Sequence, residues 1–394
     1  METIKKMFKP QALAILFFFA TIGGNGWISS CYQDIADGLG ISYDSLLYIF
    51  GSVTSIMMLV CSLLVGIVAG KYVSYKLLSV ITTVMFTLCG VIPGIIPTWP
   101  VVAASRVIWG VACGFANALC RALSMHYYEN DDVAEMNGWG TSLNKVATSF
   151  IPLLAGALCV VSWRYSFFTY AVGVIPALLV IFCLPNDKPT GITAEAETGK
   201  KVFSFPKLSL AGWLIASIPC FAYMAYLPTV YNLSAVVVGG GLGDAVAAGL
   251  CLTLCNVVGI VIGLVLGNLN KVFGRFLLPF QFIFIIIGML MIGLGKSMMP
   301  IYIGCFITGI GFPTTGAAVV ALASRYLSRE ESGMFSGVLS AAISLGATVC
   351  PFYMTALAKI TGNPSKQLPF VAGAILFVVF GLLIMLLTKE KKNA

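Results

Sequence analysis

Two basic residues stand inside long uncharged runs of this chain: Arg106 in RVIWGVACG and Lys145 in GTSLNKVATSFIPLLAG. A buried guanidinium must find acceptors, and an ammonium in an apolar setting is costly unless something negative meets it. Each residue can therefore anchor an anion or answer a titrating carboxylate. For Arg106 the alternative is bonding to helix-end carbonyls. For Lys145 the alternatives are snorkelling to lipid headgroups or a salt bridge in a loop latch. All fifteen Asp and Glu residues fall in predicted termini, loops or segment ends, so the apolar interior holds two positive charges and no negative one. An anionic ligand supplies the missing counter-charge, whereas a cationic one would be buried unpaired.

Polar and aromatic residues extend this set. In GGNGWISSCYQD, Asn25, Ser29 and Tyr32 share a helical face, and Asn117 lies three turns beyond Arg106 on nearly the same face. These groups either hydrogen-bond a ligand or bond between helices. The cluster FAYMAYLPTVY brings Tyr223 and Tyr226, with Tyr231 and Asn232 at its end; it suits an organic ligand with apolar surface or an aromatic belt. Asn256 and Gln281 are further polar residues in apolar runs. Pro152, seven residues after Lys145, removes a donor and frees the carbonyl of Thr148. Asp34 is the acid nearest to this set, which makes it the candidate for coupling. His126, the single histidine, reads as interfacial. Cysteine, histidine and acid nowhere converge, and no phosphate-binding loop is present, so we expect no catalytic residue, no metal and no cofactor. The twelve cysteines read as small buried side chains.

Positioning these residues takes helices in lipid. With 59% hydrophobic and only 10% charged residues in 394 positions, the composition excludes an ordinary water-soluble domain. Apolar runs long enough to cross a bilayer are predicted near 10–31, 45–69, 77–97, 100–122, 137–160, 165–184, 209–231, 244–267, 275–294, 299–323, 333–357 and 367–387. Seventeen of the 23 basic residues fall on the side of the termini and four on the other, which places both termini in the cytoplasm. The positive balance is thus dispersed in short loops and does not point to nucleic acid. A first cleaved leader is not expected, because the opening apolar run is too long.

The polar stretch between spans 6 and 7 divides the chain into residues 1–184, a linker at 185–208, and residues 209–394. A shift of 199 residues superposes Gly110 on Gly309, Tyr127 on Tyr326, Gly138 on Gly337 and Pro152 on Pro351. Such a parallel repeat fits two six-helix halves rocking about a central site.

Several motifs carry a family resemblance. GIVAGKYVSYK and GNLNKVFGR resemble the glycine-rich loop after helices 2 and 8 of the major facilitator superfamily, with Gly66, Lys71, Lys76, Gly274 and Arg275 matching and the usual acid missing from both. RVIWGVACG resembles that family's helix 4 arginine-glycine motif, FIPLLAG its helix 5 antiporter motif with Ile151 at the usual glycine, and SWRYSFF its turn into helix 6. The resemblance implies an all-α membrane fold of twelve helices in two bundles related by a pseudo-two-fold axis. It also implies gating roles for Lys71, Pro152 and Arg275, and a subtype near bacterial drug or metabolite antiporters. The expected partners are a small-molecule substrate, read as anionic, a co-transported proton and membrane lipid, for a monomer in a bacterial cytoplasmic membrane. Efflux of drugs or lipophilic metabolites is the alternative.

Overall fold

The computed structural model describes residues 9–70, 72–128, 131–186, 209–326 and 329–387. Among these residues, twelve helices are long and apolar enough to cross a membrane. They are α1 (Pro10–Leu39), α2 (Tyr43–Val65), α3 (Tyr75–Ile95), α4 (Trp99–Tyr127), α5 (Glu135–Val161) and α6 (Trp163–Cys183) in the first bundle. The second holds α7 (Gly212–Tyr231), α8 (Ala245–Leu266), α9 (Leu277–Leu294), α10 (Met298–Val320), α11 (Ala341–Thr361) and α12 (Leu368–Met385). Twelve crossings put the start of α1 and the end of α12 on one face, called here the terminal face; the opposite face is distal. The predicted linker falls mainly on residues 187–208, outside the described residues.

All twelve predicted spans are present, but several helices run past their predicted bounds, and two of these displacements bear on the site. The first span reaches Leu39 rather than residue 31, because the amphipathic Tyr32–Leu39 segment continues the rod until Gly40, whose φ of 66° ends it in the left-handed region. The helix containing α5 starts at Asp131 rather than near 137. Its first residues, Asp131 and Asp132, are acids, which suit the positive end of a helix dipole. Apolar length alone misses such polar helix ends.

Within α1, the glycine-rich TIGGNG tightens into a 3-10 turn over Thr21–Gly26. Gly24 is required there, since a Cβ would meet the rings of Phe86 and Trp109 at 2.7 to 2.9 Å. Gly110 and Gly114 of α4 lie against Thr54 and Met58 of α2, which is the close helix contact that a small-xxx-small pair permits.

The bundles join through their distal halves along two equivalent seams. In one, Gly249 of α8 faces Pro152 of α5 and Thr253 Oγ1 donates to the Ser149 carbonyl at 2.6 Å. In the other, Gly51 of α2 faces Pro351 of α11 and Ser52 Oγ donates to the Thr348 carbonyl at 2.9 Å. Pro152 and Pro351, and likewise Ser149 and Thr348, are 199 positions apart. The internal repeat seen in sequence is therefore expressed as a repeated hydroxyl-to-carbonyl clasp beside a repeated glycine-to-proline contact.

Candidate functional site

Arg106 lies in the distal half of α4 and is 1% exposed. Its Nη1 donates to the Tyr170 hydroxyl at 3.0 Å, and that hydroxyl donates to the Gly24 carbonyl at 2.9 Å. The rings of Phe50, Tyr170, Trp109 and Phe167 stand 4.2, 5.0, 5.1 and 5.6 Å from its Cζ. Contacts of this kind contribute roughly 2 kcal/mol when desolvated. No carboxylate among the described residues pairs with the guanidinium, and its Nε and Nη2 are buried without a hydrogen-bond partner. Trp27, Phe86, Trp109 and Tyr170 pack on one another edge to face, tilted or stacked, with centroids 5.3 to 5.7 Å apart. The tight α1 turn carries this box, because it delivers the Gly24 carbonyl to Tyr170.

Lys145 occupies a different setting. With α5 starting at Asp131, it sits fourteen residues in, roughly 21 Å along the helix and near its middle, not two turns from the terminal face. Its ammonium is half-buried, faces Cys255 of α8, and has no hydrogen bond or ion pair among the described residues. The neighbouring turn is pinned across the seam: Asn256 Nδ2 reaches the Thr148 carbonyl at 3.4 Å, the carbonyl that Pro152 leaves without its helical donor. Cys255 Sγ lies 3.3 Å from the Tyr226 hydroxyl, and Tyr226 stacks on Phe312 with Tyr223 edge-on to the same ring. By helix rise, Arg106 is about 10 Å and Lys145 about 24 Å from the distal ends of their helices. The two cations do not share one depth.

The remaining candidates divide between these neighbourhoods and elsewhere. Asn25 and Tyr32 join the Arg106 box, the Tyr32 hydroxyl donating to the Asn25 carbonyl at 3.2 Å. Ser29 is fully buried and donates to Gly26 at 2.8 Å. Asn117 donates to Cys113 of its own helix at 3.2 Å, away from the box. Gln281 bonds Thr314 at 2.8 Å between α9 and α10. Asp34 stands at the distal end of α1 beside Cys159, with Oδ2 buried and unpartnered. Lys71 lies outside the described residues, and Arg275 is placed only by its backbone turn, Gly274–Phe276. His126 is exposed and stacks on Tyr75 at 4.4 Å.

Sequence reading missed Tyr170, Phe50 and Phe167 as walls for Arg106. They come from α6 and α2, and no spacing along the chain links them to α4. It also missed the distal closure. Tyr43 of α2 donates to the Tyr231 carbonyl of α7, Lys366 pairs with Asp44 at 2.7 Å, and the Gln33 amide donates to Ser234 at 3.0 Å. A cavity of about 80 Å³ lies there, lined in part by Asp44, Asn232, Pro351, Thr355 and Lys366.

Residues 13–337, which span most of both bundles, match the profile of the Major Facilitator Superfamily. The chain belongs to that superfamily. As a superfamily member it is a multi-pass secondary transporter that works by alternating access, and the relatives and structures it resembles are themselves transporters. It is 28% identical over 278 residues to a probable nitrate transporter, NarT, of Staphylococcus epidermidis, spanning 68% of each chain. A protein of the same description from Staphylococcus carnosus is 25% identical over 278 residues, again 68% of each. Among solved structures, the nucleoside transporter NupG superposes with a TM-score of 0.70 at 15% identity, covering 98% of this chain and 100% of that one. A bacterial homologue of the human lysosomal transporter Spinster gives 0.71 at 12%, covering 96% of each. At those identities the structural likeness establishes the fold alone.

Proposed function

We propose that this superfamily member carries a small anion, of the size of nitrate or a short carboxylate, across a bacterial cytoplasmic membrane. The observation that carries this reading is the pair Arg106 and Lys145: two cations within the spans, neither paired with a carboxylate among the described residues. An anion satisfies each in turn, and burying a second cation beside either would cost several kcal/mol. The description of the staphylococcal relatives as probable nitrate transporters favours a small anion over a bulky one.

In this reading the terminal face is cytoplasmic, as the basic residues in its loops require, and the described state is closed to the outside. Residues 1–184 and 209–394 are the two rocking bodies, joined by the linker at 185–208. Lys145 meets the anion at the seam, with Asn256, Tyr223 and Tyr226 as neighbours, while Asn25 and Tyr32 line the Arg106 side. Ser29, Asn117 and Gln281 hold helices, each donating a hydrogen bond to its own or an adjacent helix. The gradient is a proton or a second solute, with Asp34 as the titrating candidate and Pro152 as the flexible point of the seam. The carrier acts as a monomer.

The aromatic wall of Tyr226, Tyr223 and Phe312 favours a second reading, antiport of a drug or lipophilic metabolite. Flux of a charge-varied panel into proteoliposomes separates the two. Nitrate and formate should enter with wild type and much less with Lys145→Ala or Arg106→Ala, at unchanged reconstitution. Anion entry equal in all three proteins, or entry of lipophilic cations only, sinks the anion reading.

A further inference from the structure

We infer that Arg106 presents one edge of its guanidinium, Nε–H and Nη2–H together, as a two-pronged seat for a planar oxyanion. This station is separate from Lys145 and is reached from the distal face. The inference rests on the small-anion reading and narrows it to anions that offer two coplanar oxygens.

The argument starts from which nitrogen is used. Nη1 is engaged by Tyr170, while Nε and Nη2, the two donors of the opposite edge, are buried without an acceptor among the described residues. That edge is the one that matches a carboxylate or nitrate by two parallel hydrogen bonds. The rings of Phe50, Tyr170 and Trp109 lie 4.2 to 5.1 Å from Cζ, so the unpartnered edge is the polar element left to a guest. The surroundings are rich in donors. Trp27 Nε1 and Trp109 Nε1 are also buried without partners, and the unpartnered groups there that can accept are the Tyr231 hydroxyl and Asn25 Oδ1. Such an excess of positive hydrogens in a dry box calls for an acceptor-rich guest.

Access follows from two further features. Tyr231, on the other bundle, lies 3.4 Å from the Cβ position of Gly51 and is tied through its carbonyl to Tyr43. Parting the distal seam withdraws it. Phe50, the ring nearest the guanidinium, sits in a π-helical turn, Tyr48–Val53, within α2. A wide turn of this kind is a local irregularity that can be redistributed along a helix and is common at functional sites. Phe50 of the box thus sits on an adjustable turn, and Tyr231 of the opposing bundle packs against that turn at Gly51.

The test uses the full chain in proteoliposomes, with labelled formate entry competed by nitrate, nitrite and chloride. Chloride carries the same charge but cannot use two prongs. In wild type, nitrate and nitrite should compete at concentrations roughly tenfold or more below chloride. Arg106→Lys keeps the charge and loses the fork, so this gap should shrink below about threefold in the flux that remains. A gap unchanged in Arg106→Lys overturns the assignment while leaving anion transport standing. If Arg106→Lys does not fold, wild type decides: chloride competing as well as nitrate overturns the assignment, and a tenfold gap supports it. If labelled formate and nitrate both fail to enter wild-type liposomes, the small-anion reading itself falls.

Discussion

The Arg106 box and the Lys145 seam bury the same charge by opposite means. Arg106 is enclosed within one bundle, where four aromatic rings and a tyrosine hydroxyl hold it in a single pose. Lys145 projects across the boundary between bundles toward Cys255, with nothing described fixing its ammonium. The difference teaches that one interior cation can be fixed by rings and a hydroxyl while keeping an unpartnered edge, and another can be left unfixed at a seam. The equivalent position to Lys145 in the second half, 199 residues on, is Ser344, so only one of the two repeated seams carries a charge.

The largest effect should come from emptying the box. Arg106→Ala removes a fully buried side chain from among Phe50, Trp109, Phe167 and Tyr170, and takes away the donor to the Tyr170 hydroxyl. We expect roughly 3 kcal/mol or more of destabilisation, read as a melting temperature several degrees lower. Lys145→Ala should leave the melting temperature nearly unchanged while raising the half-saturating anion concentration about tenfold, the loss of one charge-assisted contact. Equal melting shifts in the two variants would break the comparison.

A third variant sharpens it at the seam. Gly249→Ala places a Cβ 2.7 Å from the Pro152 carbonyl, a backbone atom with little freedom to yield. Gly51→Ala meets the Pro351 ring carbon at 2.9 Å, a side-chain atom that can pucker away. Distal closure, read as protection of a distal cysteine probe from a membrane-impermeant thiol reagent, should be lost more in Gly249→Ala. Equal protection in both would mean that the seams are not distinguished by rigidity.

The smallest effect is expected from Asp44→Asn. Its partner Lys366 is 36% exposed and Asp44 itself 51%, so the pair contributes at most about 1 kcal/mol to distal closure. Flux should change less than about threefold, and the difference from wild type should vanish in high salt. A larger, salt-insensitive loss would place the distal ion pair alongside Arg106 as a built-in element.

Much of the architecture is legible in the chain because lipid leaves few options: each backbone polar group must be satisfied inside its own helix, so apolar length and breakers reveal twelve crossings. The displaced boundaries at Leu39 and Asp131 lie where polar helix ends extend past the apolar run. The site was legible only in part. Arg106 and Lys145 stand out because charge in an apolar run is conspicuous, and Pro152 announces the carbonyl that Asn256 meets. Ser29 and Gln281 look equally polar in sequence, yet the Ser29 hydroxyl donates to Gly26 and the Gln281 Nε2 to Thr314.

The sequence by itself determined the number of helices, their twofold repetition and the presence of two interior cations without acids, since these follow from hydropathy, period and charge along one dimension. Only the tertiary structure decided which cation is caged and which is left at a seam. Phe50, Tyr170 and Tyr231 arrive at Arg106 and its surroundings from helices distant in the chain. Contacts of that kind depend on packing in three dimensions, which no local pattern of residues encodes.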